Sequence, residues 1–278
     1  MKKKIVCVVN DIALENSSLK SEHGLALWIE TDNGIVLLDT GQTGETLMHN
    51  LSILNLNARD ITALVLSHAH YDHTGGLEAL LQAHPACKIY AHQDIVQPRY
   101  SLRDGKYQSI GLSAIHEALL KKSNHYFSDK SIQILPDLWT TGEIIERIEP
   151  EGRSANHFIR KDRAWQPDSY RDDLSLVLKT GQELCLVCGC CHAGLLNTLF
   201  HVNKNFSLPI TSVVGGTHLL SADRPYLAHV VEVISEHFPN LSFYMNHCTG
   251  NYAVEELENK FGKSVKQFPA GAFIEFSD

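Results

Sequence analysis

The 278-residue chain has no apolar run near the roughly 20 residues that a bilayer-crossing helix requires. No membrane span is expected. The short apolar stretch Ile5 to Val9 behind three lysines is also too brief for a secretory core. Positive charge is scarce: 24 Lys and Arg stand against 32 Asp and Glu, a net of −8, which disfavours a phosphate-backbone partner. Nucleic acid is therefore not an expected partner. Proline is sparse at 9 residues, while 44% of the chain is hydrophobic and 20% charged, so disordered and fibrous classes are excluded. Cysteines number seven, an odd count, and four crowd into Cys185, Cys188, Cys190 and Cys191. With no export signal, a disulfide framework is not expected. A cytoplasmic protein with free thiols is the reading.

Histidine, by contrast, is abundant at 16 residues, and it is the side chain most used as a metal ligand or as an acid or base near neutral pH. The N-terminal third reads as strands: KIVCVVN, then ALWIET and IVLLDTG around the turn Asp32-Asn33-Gly34, a hairpin signal. Helical spacing from Glu45 to Leu56 precedes ITALVLS, a buried strand, and then LEALLQAH and CKIYAH give helix and strand. Residues 93–173 lose periodicity, with one helix at Ser113 to Lys121 and one short strand near Ile144, so an insertion or lid is expected within a single domain spanning 1–278. Regularity returns with LSLVLKTGQELCLVCG, AGLLNTLFHVNK, ITSVVGG, PYLAHVVEVISEHF and LSFYMNHCTG. The chain closes with the helix AVEELENKFG and a last strand, VKQF. Strands come in two batches, each followed by helices, which predicts a two-sheet α/β sandwich.

The chemistry concentrates in SHAHYDHTGG, where His68, His70, Asp72 and His73 fall within six residues directly after a buried strand. An extended tip sends His68 and His70 to one side, and the turn that follows aims Asp72 and His73 elsewhere. Four such ligands cannot all saturate one ion from one loop. Two adjacent ions are predicted, each completed by a distant histidine. His192 and His247 both follow strands and so arrive at the same edge of the fold.

HAHYDH resembles the HxHxDH signature of the metallo-β-lactamase superfamily, and LLDTG, GCCHAG and MNHCTG resemble its other motifs. The resemblance implies an αββα four-layer sandwich with a dinuclear site. It assigns His68, His70 and His192 to a first ion, Asp72, His73 and His247 to a second, and Asp39 to orienting a ligand histidine. The stretch VVGGTHLL lacks the metal-bridging Asp found in many superfamily hydrolases and instead offers His218. That gap implies a weaker hold on the second ion. The set EHGL, GCCHAG, GGTH and HCTG also resembles the dihydropterin-methyl-ribofuranosylaminobenzene phosphate synthase-like subgroup. His70 stands where related flavodiiron proteins carry Glu, and an imidazole-rich site suits zinc, with iron or manganese as alternatives.

The leading expectation is a metal-dependent hydrolase using a metal-bound hydroxide on a small anionic substrate, with Asp72 and His218 as catalytic residues. A pterin-type transferase releasing pyrophosphate is the alternative, and a non-catalytic metal or redox sensor is the third class. His23 and Cys248 are weaker substrate-binding candidates. Arg99, Arg103, Lys106, Arg153, Arg160, Lys161 and Arg163 could clamp an anion, and Tyr100, Tyr107 and Trp165 could stack on a flat ring. CLVCGCC alternates like a core strand and is expected to be structural.

Overall fold

The computed structural model describes residues 2–277. Two seven-stranded sheets form its centre. The first runs, edge to edge, Phe273–Ser277, Lys2–Val9, Ala26–Thr31, Gly34–Leu38, Ile61–Leu66, Lys88–Ala91 and Asn124–Phe127. Val265–Gln267, Ser242–Met245, Ile210–Gly215, Glu183–Cys188, Leu176–Thr180, Leu138–Thr140 and Gln133–Leu135 make the second. The Asn33-Gly34 turn pairs Ala26–Thr31 antiparallel with Gly34–Leu38, as the sequence predicts. Helical crossovers keep Gly34–Leu38, Ile61–Leu66 and Lys88–Ala91 parallel, and likewise Glu183–Cys188, Ile210–Gly215 and Ser242–Met245.

Alternation along each strand builds four layers. Val36, Leu38, Ala63 and Val65 face the second sheet and meet Leu176, Leu178, Cys185, Val187 and Val214. Their neighbours Leu37, Leu64 and Leu66 face outward, against Leu47 and Leu51 of the helix Gly44–Ile53 and Leu77 and Leu80 of the helix Leu77–Ala83. On the far side, Leu186, Cys188, Val213 and Phe243 meet three helices, Leu195–Asn205, Arg224–His237 and Asn251–Phe261. The architecture is an αββα sandwich. Truncating a residue such as Leu64, fully buried between helix and sheet, to Ala would cost about 2–5 kcal/mol.

Between 93 and 173 the order is greater than the sequence suggests. The helix Ala114–Lys122, capped by Ser113 Oγ, adds Leu120 to the first helix layer, and Asn124–Phe127 and Leu138–Thr140 belong to the main sheets. Arg99–Arg103, Lys106–Ser109, His157–Lys161 and Ala164–Pro167 form a separate four-stranded sheet. Tyr107 and Trp165 stack at 3.6 Å within it, with Tyr100 edge-on at 4.9 Å, so these rings pack on one another rather than offering a free platform. No strand forms near Ile144, which lies in an irregular segment. Nor is VKQF the last strand: Phe273–Ser277 returns to pair with Lys2–Val9. Among the described residues no helix is long and apolar enough to cross a membrane.

Candidate metal centre

All the chemistry collects at one edge, where the parallel strands of both sheets end. Asp39 follows Gly34–Leu38, His68 to His73 follow Ile61–Leu66, Cys190 and His192 follow Glu183–Cys188, His218 follows Ile210–Gly215, and His247 follows Ser242–Met245. Asp39, Cys191, His218 and His247 each adopt left-handed backbone, with φ between 46° and 61°, so the chain turns sharply as it leaves each strand. His68 and His70 precede the short helix Tyr71–Thr74, which carries Asp72 and His73 in its single turn.

One carboxylate sets the proton positions. Asp39, fully buried, accepts Ser67 N–H on Oδ1 and both Ser67 Oγ–H and His73 Nδ1–H on Oδ2, each at 2.7 Å. A carboxylate only accepts, so His73 spends its ring proton on Nδ1 and presents a lone pair at Nε2. With the Ser67 hydroxyl proton used on Asp39, His68 Nδ1, 2.8 Å from Ser67 Oγ, is the donor there. His68 Nε2 is thereby left with its lone pair toward His70 Nδ1, 3.1 Å away. Asp39 thus orients His73 directly and His68 through Ser67. Gly189 passes over this network, and a Cβ there would strike Ser67 Oγ.

His68, His70 and His192 offer three ligand atoms within 4.8 Å of one another. His192 donates Nδ1–H to Gly152 O at 3.1 Å, while its Nε2 is buried with no hydrogen-bond partner among the described residues. Burial first, then the neighbouring imidazoles, lower His68 and His192 well below the ordinary histidine value. His70 is likewise lowered, chiefly by burial. Three neutral imidazoles crowded around an unpartnered nitrogen suit a cation. Tyr170 stacks flat on His192 at 4.0 Å, and its hydroxyl lies 2.7 Å from His157 Nδ1.

Asp72, His73 and His247 make a second cluster with the same spacing. His247 Nδ1 lies 2.7 Å from Asp11 Oδ2, which by the same argument leaves its Nε2 facing His73 Nε2 at 3.2 Å and Asp72 Oδ2 at 3.4 Å. Two imidazole lone pairs at that distance repel unless a proton or a cation lies between them. Burial alone would lower His247, yet its hydrogen bonds with Asp11 and Asp72 hold it well above the ordinary value. Burial would likewise raise Asp72, but His73 and His247 hold its carboxyl well below the usual carboxylate range. Positive charge is what this cluster accommodates. His23 joins it from the mouth, with Nδ1 2.8 Å from Asp11 Oδ1 and Nε2 3.3 Å from Asp72 Oδ2.

The two clusters floor an open cleft of about 730 Å³, bounded by Tyr71, Arg103, Arg153, His157, His218 and Leu220 among others. Every sequence-predicted site residue reaches this region, except that Asp39 sits beneath it. His218 lies with its ring 4.3 Å from that of His192, and its backbone N–H points to Cys248 Sγ at 3.2 Å. Of the basic candidates, only Arg103 and Arg153 line the cleft. Arg99 is instead buried against Asp168 and Asp172, and Arg160 lies over Trp165. Sequence reasoning missed Asp11, Ser67, His157, Tyr170 and Cys190. Cys190, in the stretch CLVCGCC expected to be structural, lies with its Sγ 3.2 Å from His73 Nε2.

Fold and site together define an αββα protein whose sheet edge gathers clusters of potential metal-ligand side chains. The chain belongs to the metallo-β-lactamase superfamily, whose family model, described as Metallo-beta-lactamase superfamily, matches residues 21–157. It is 28% identical to the 7,8-dihydropterin-6-methyl-4-(beta-D-ribofuranosyl)-aminobenzene-5'-phosphate synthase of Methanocaldococcus jannaschii, over 98% of this chain and 96% of that one. An uncharacterized protein of the same organism, MJ0448, is 30% identical over 88% of this chain and 92% of its own. Among solved structures, Tm1679, described as a metal-dependent hydrolase of the beta-lactamase superfamily, superposes with a TM-score of 0.85 at 24% identity, covering 99% and 100% of the two chains.

Proposed function

We propose that the protein is a metal-dependent hydrolase that acts on a small anionic substrate with two divalent ions, zinc by preference, at its sheet edge. The observation that carries this reading is the pairing of two donor clusters, with His73, His68 and His192 oriented by Asp39, Ser67 and Gly152 so that a ring nitrogen of each faces inward, and His247 held toward them by Asp11. His68, His70 and His192 would hold one ion, and Asp72, His73 and His247 the other. Such ions, when bound, acidify water and neutralise the charge that develops on a departing group.

The chain's own residues supply the rest. Asp72 Oδ2, facing His23 Nε2 at 3.3 Å as well as the ligand nitrogens, is placed to accept a hydrogen bond from the attacking water, with His23 at the mouth to take the proton. His218, beside His192 on the cleft wall, donates a proton to the leaving group. Arg103 and Arg153 face the anionic part of the substrate across the cleft. Arg153 is held in place by Glu151, at 2.7 Å from Nε and 2.8 Å from the guanidinium end.

A pterin-type transferase using the same residues is the second reading. It is favoured by the identity to a pterin-related synthase along nearly the whole chain. Opposing it, among the rings suited to a flat heterocycle Tyr107 and Trp165 stack on each other and Tyr100 packs edge-on against Trp165. The deciding experiment incubates metal-loaded protein with phosphodiester, thioester and lactone substrates in water alone, and separately with a pterin pyrophosphate and an aryl amine. Product in water alone supports the hydrolase. Product that requires the amine and appears with pyrophosphate overturns it in favour of transfer, and turnover in neither arm favours a sensor.

A further inference from the structure

Cys190 differs from the other buried cysteines. Cys7 and Cys185 pack between the sheets, Cys87 in the first helix layer, and Cys188 and Cys191 in the second. Cys190 is as buried, at 3% exposure, yet belongs to none of these apolar clusters. The backbone delivers it to the edge: a left-handed turn at Cys191, φ 55°, returns residue 191 to the core and leaves Cys190 facing the ligands. Gly216 packs beside this turn, where a Cβ would lie 2.5 Å from Gly189 O and 2.7 Å from Cys248 Sγ.

The position of the sulfur is specific. Cys190 Sγ lies 3.2 Å from His73 Nε2, a nitrogen that the bond to Asp39 leaves as a lone pair. It shares 4.8 Å mutual reach with His68 and His73, and separately with His247 and Cys248. His68 belongs to one donor cluster and His73 and His247 to the other, so the sulfur stands between them. Charge points the same way. Of the six residues assigned as ligands, only Asp72 is an anion, and two dications on five imidazoles and one carboxylate would leave a large uncompensated charge in a buried site.

We propose that Cys190 is a metal ligand, its thiolate lying between the two ions and shared by them. This rests on the metal-dependent reading above and deepens it. Binding costs the thiol its proton, which leaves to solvent as the sulfur–metal bonds form. A thiolate among imidazoles selects zinc or another thiophilic ion over magnesium or calcium. It also supplies the bridging anion that the stretch Val213 to Leu220 lacks, so the second ion is held firmly rather than loosely. Cys248 Sγ, engaged by the His218 N–H, is the neighbouring thiol against which the assignment is tested.

The test titrates metal-free protein with cobalt(II) and follows its optical spectrum. A thiolate-to-cobalt charge-transfer band should grow as cobalt is added. In Cys190→Ala the band should vanish and the second cobalt should bind more than about 100-fold more weakly, beyond the range for losing a group that only orients a ligand. The wild-type spectrum needs no variant to fold. Two bound cobalt ions without the band would overturn the proposal and leave the metal reading standing, whereas no cobalt uptake would overturn the metal reading itself. A band that survives Cys190→Ala and disappears in Cys248→Ala would also overturn the assignment.

Discussion

Asp39→Asn separates orientation of the ligands from their presence. The carboxylate receives three hydrogen bonds of 2.7 Å, two from Ser67 and one from His73. An amide of the same shape keeps one acceptor oxygen. If that oxygen stays on Ser67 N–H, an NH2 group faces the Ser67 hydroxyl and His73 Nδ1, donor against donor. His73 then resolves the conflict by moving its proton to Nε2, which removes the lone pair aimed at Asp72 and His247. His68 loses only an indirect support through Ser67. The second ion should therefore weaken about 10–100-fold, or ~1.4–2.8 kcal/mol, with a smaller effect on the first. Competition with a chromogenic chelator reads both affinities, and thermal unfolding of the metal-free form checks folding. Unchanged affinity for both ions, or loss confined to the first, would refute this account of the tautomers.

Other variants test separate parts. His218→Ala should lower kcat by about 10²–10⁴-fold while metal content per chain stays unchanged, since His218 serves as acid rather than ligand. Asp11→Asn should mimic Asp39→Asn at the second ion and leave the first intact, measured by the same chelator competition. Arg99→Met leaves Asp168 and Asp172 buried without their guanidinium, so denaturant unfolding should show a loss of about 3–5 kcal/mol. Because Asp172 Oδ2 also receives the Ala69 N–H between His68 and His70, affinity for the first ion should fall too. Burial raises Asp173 from 3.8 to about 6, against its bond from Ala193 N–H. A raised carboxyl stabilises the fold fully below the unfolded value, and that contribution is lost as pH rises through the folded one. Unfolding of metal-free Asp173→Asn should accordingly show a flatter decline between those two values than the wild type.

Much of the molecule was legible in its pattern. Ile61–Leu66 and Gly34–Leu38 read as strands because continuous β-branched and leucine runs bounded by turn residues have no other use. His68 to His73 read as a metal motif because that many donors in one turn have no apolar or surface role. Cys190 was hidden because strand alternation marks it as core, and only the left-handed turn at Cys191 breaks that alternation. Asp11 and Tyr170 were hidden for another reason: Asp11 acts through His247, 236 residues away, and Tyr170 through His157 across the irregular 93–173 stretch, and no motif signals either pairing. The small sheet holding Tyr107 and Trp165 was missed because its short polar strands bury little and show weak periodicity. Phe273–Ser277 escaped because edge pairing with Lys2–Val9 is set by tertiary contact.

Elemental analysis of protein purified without added metal tests the central claim most directly. The arrangement of His68, His70 and His192 beside Asp72, His73 and His247 predicts two ions per chain, chiefly zinc, both removed together with activity by a strong chelator. Protein that folds and turns over substrate with no bound metal would contradict it.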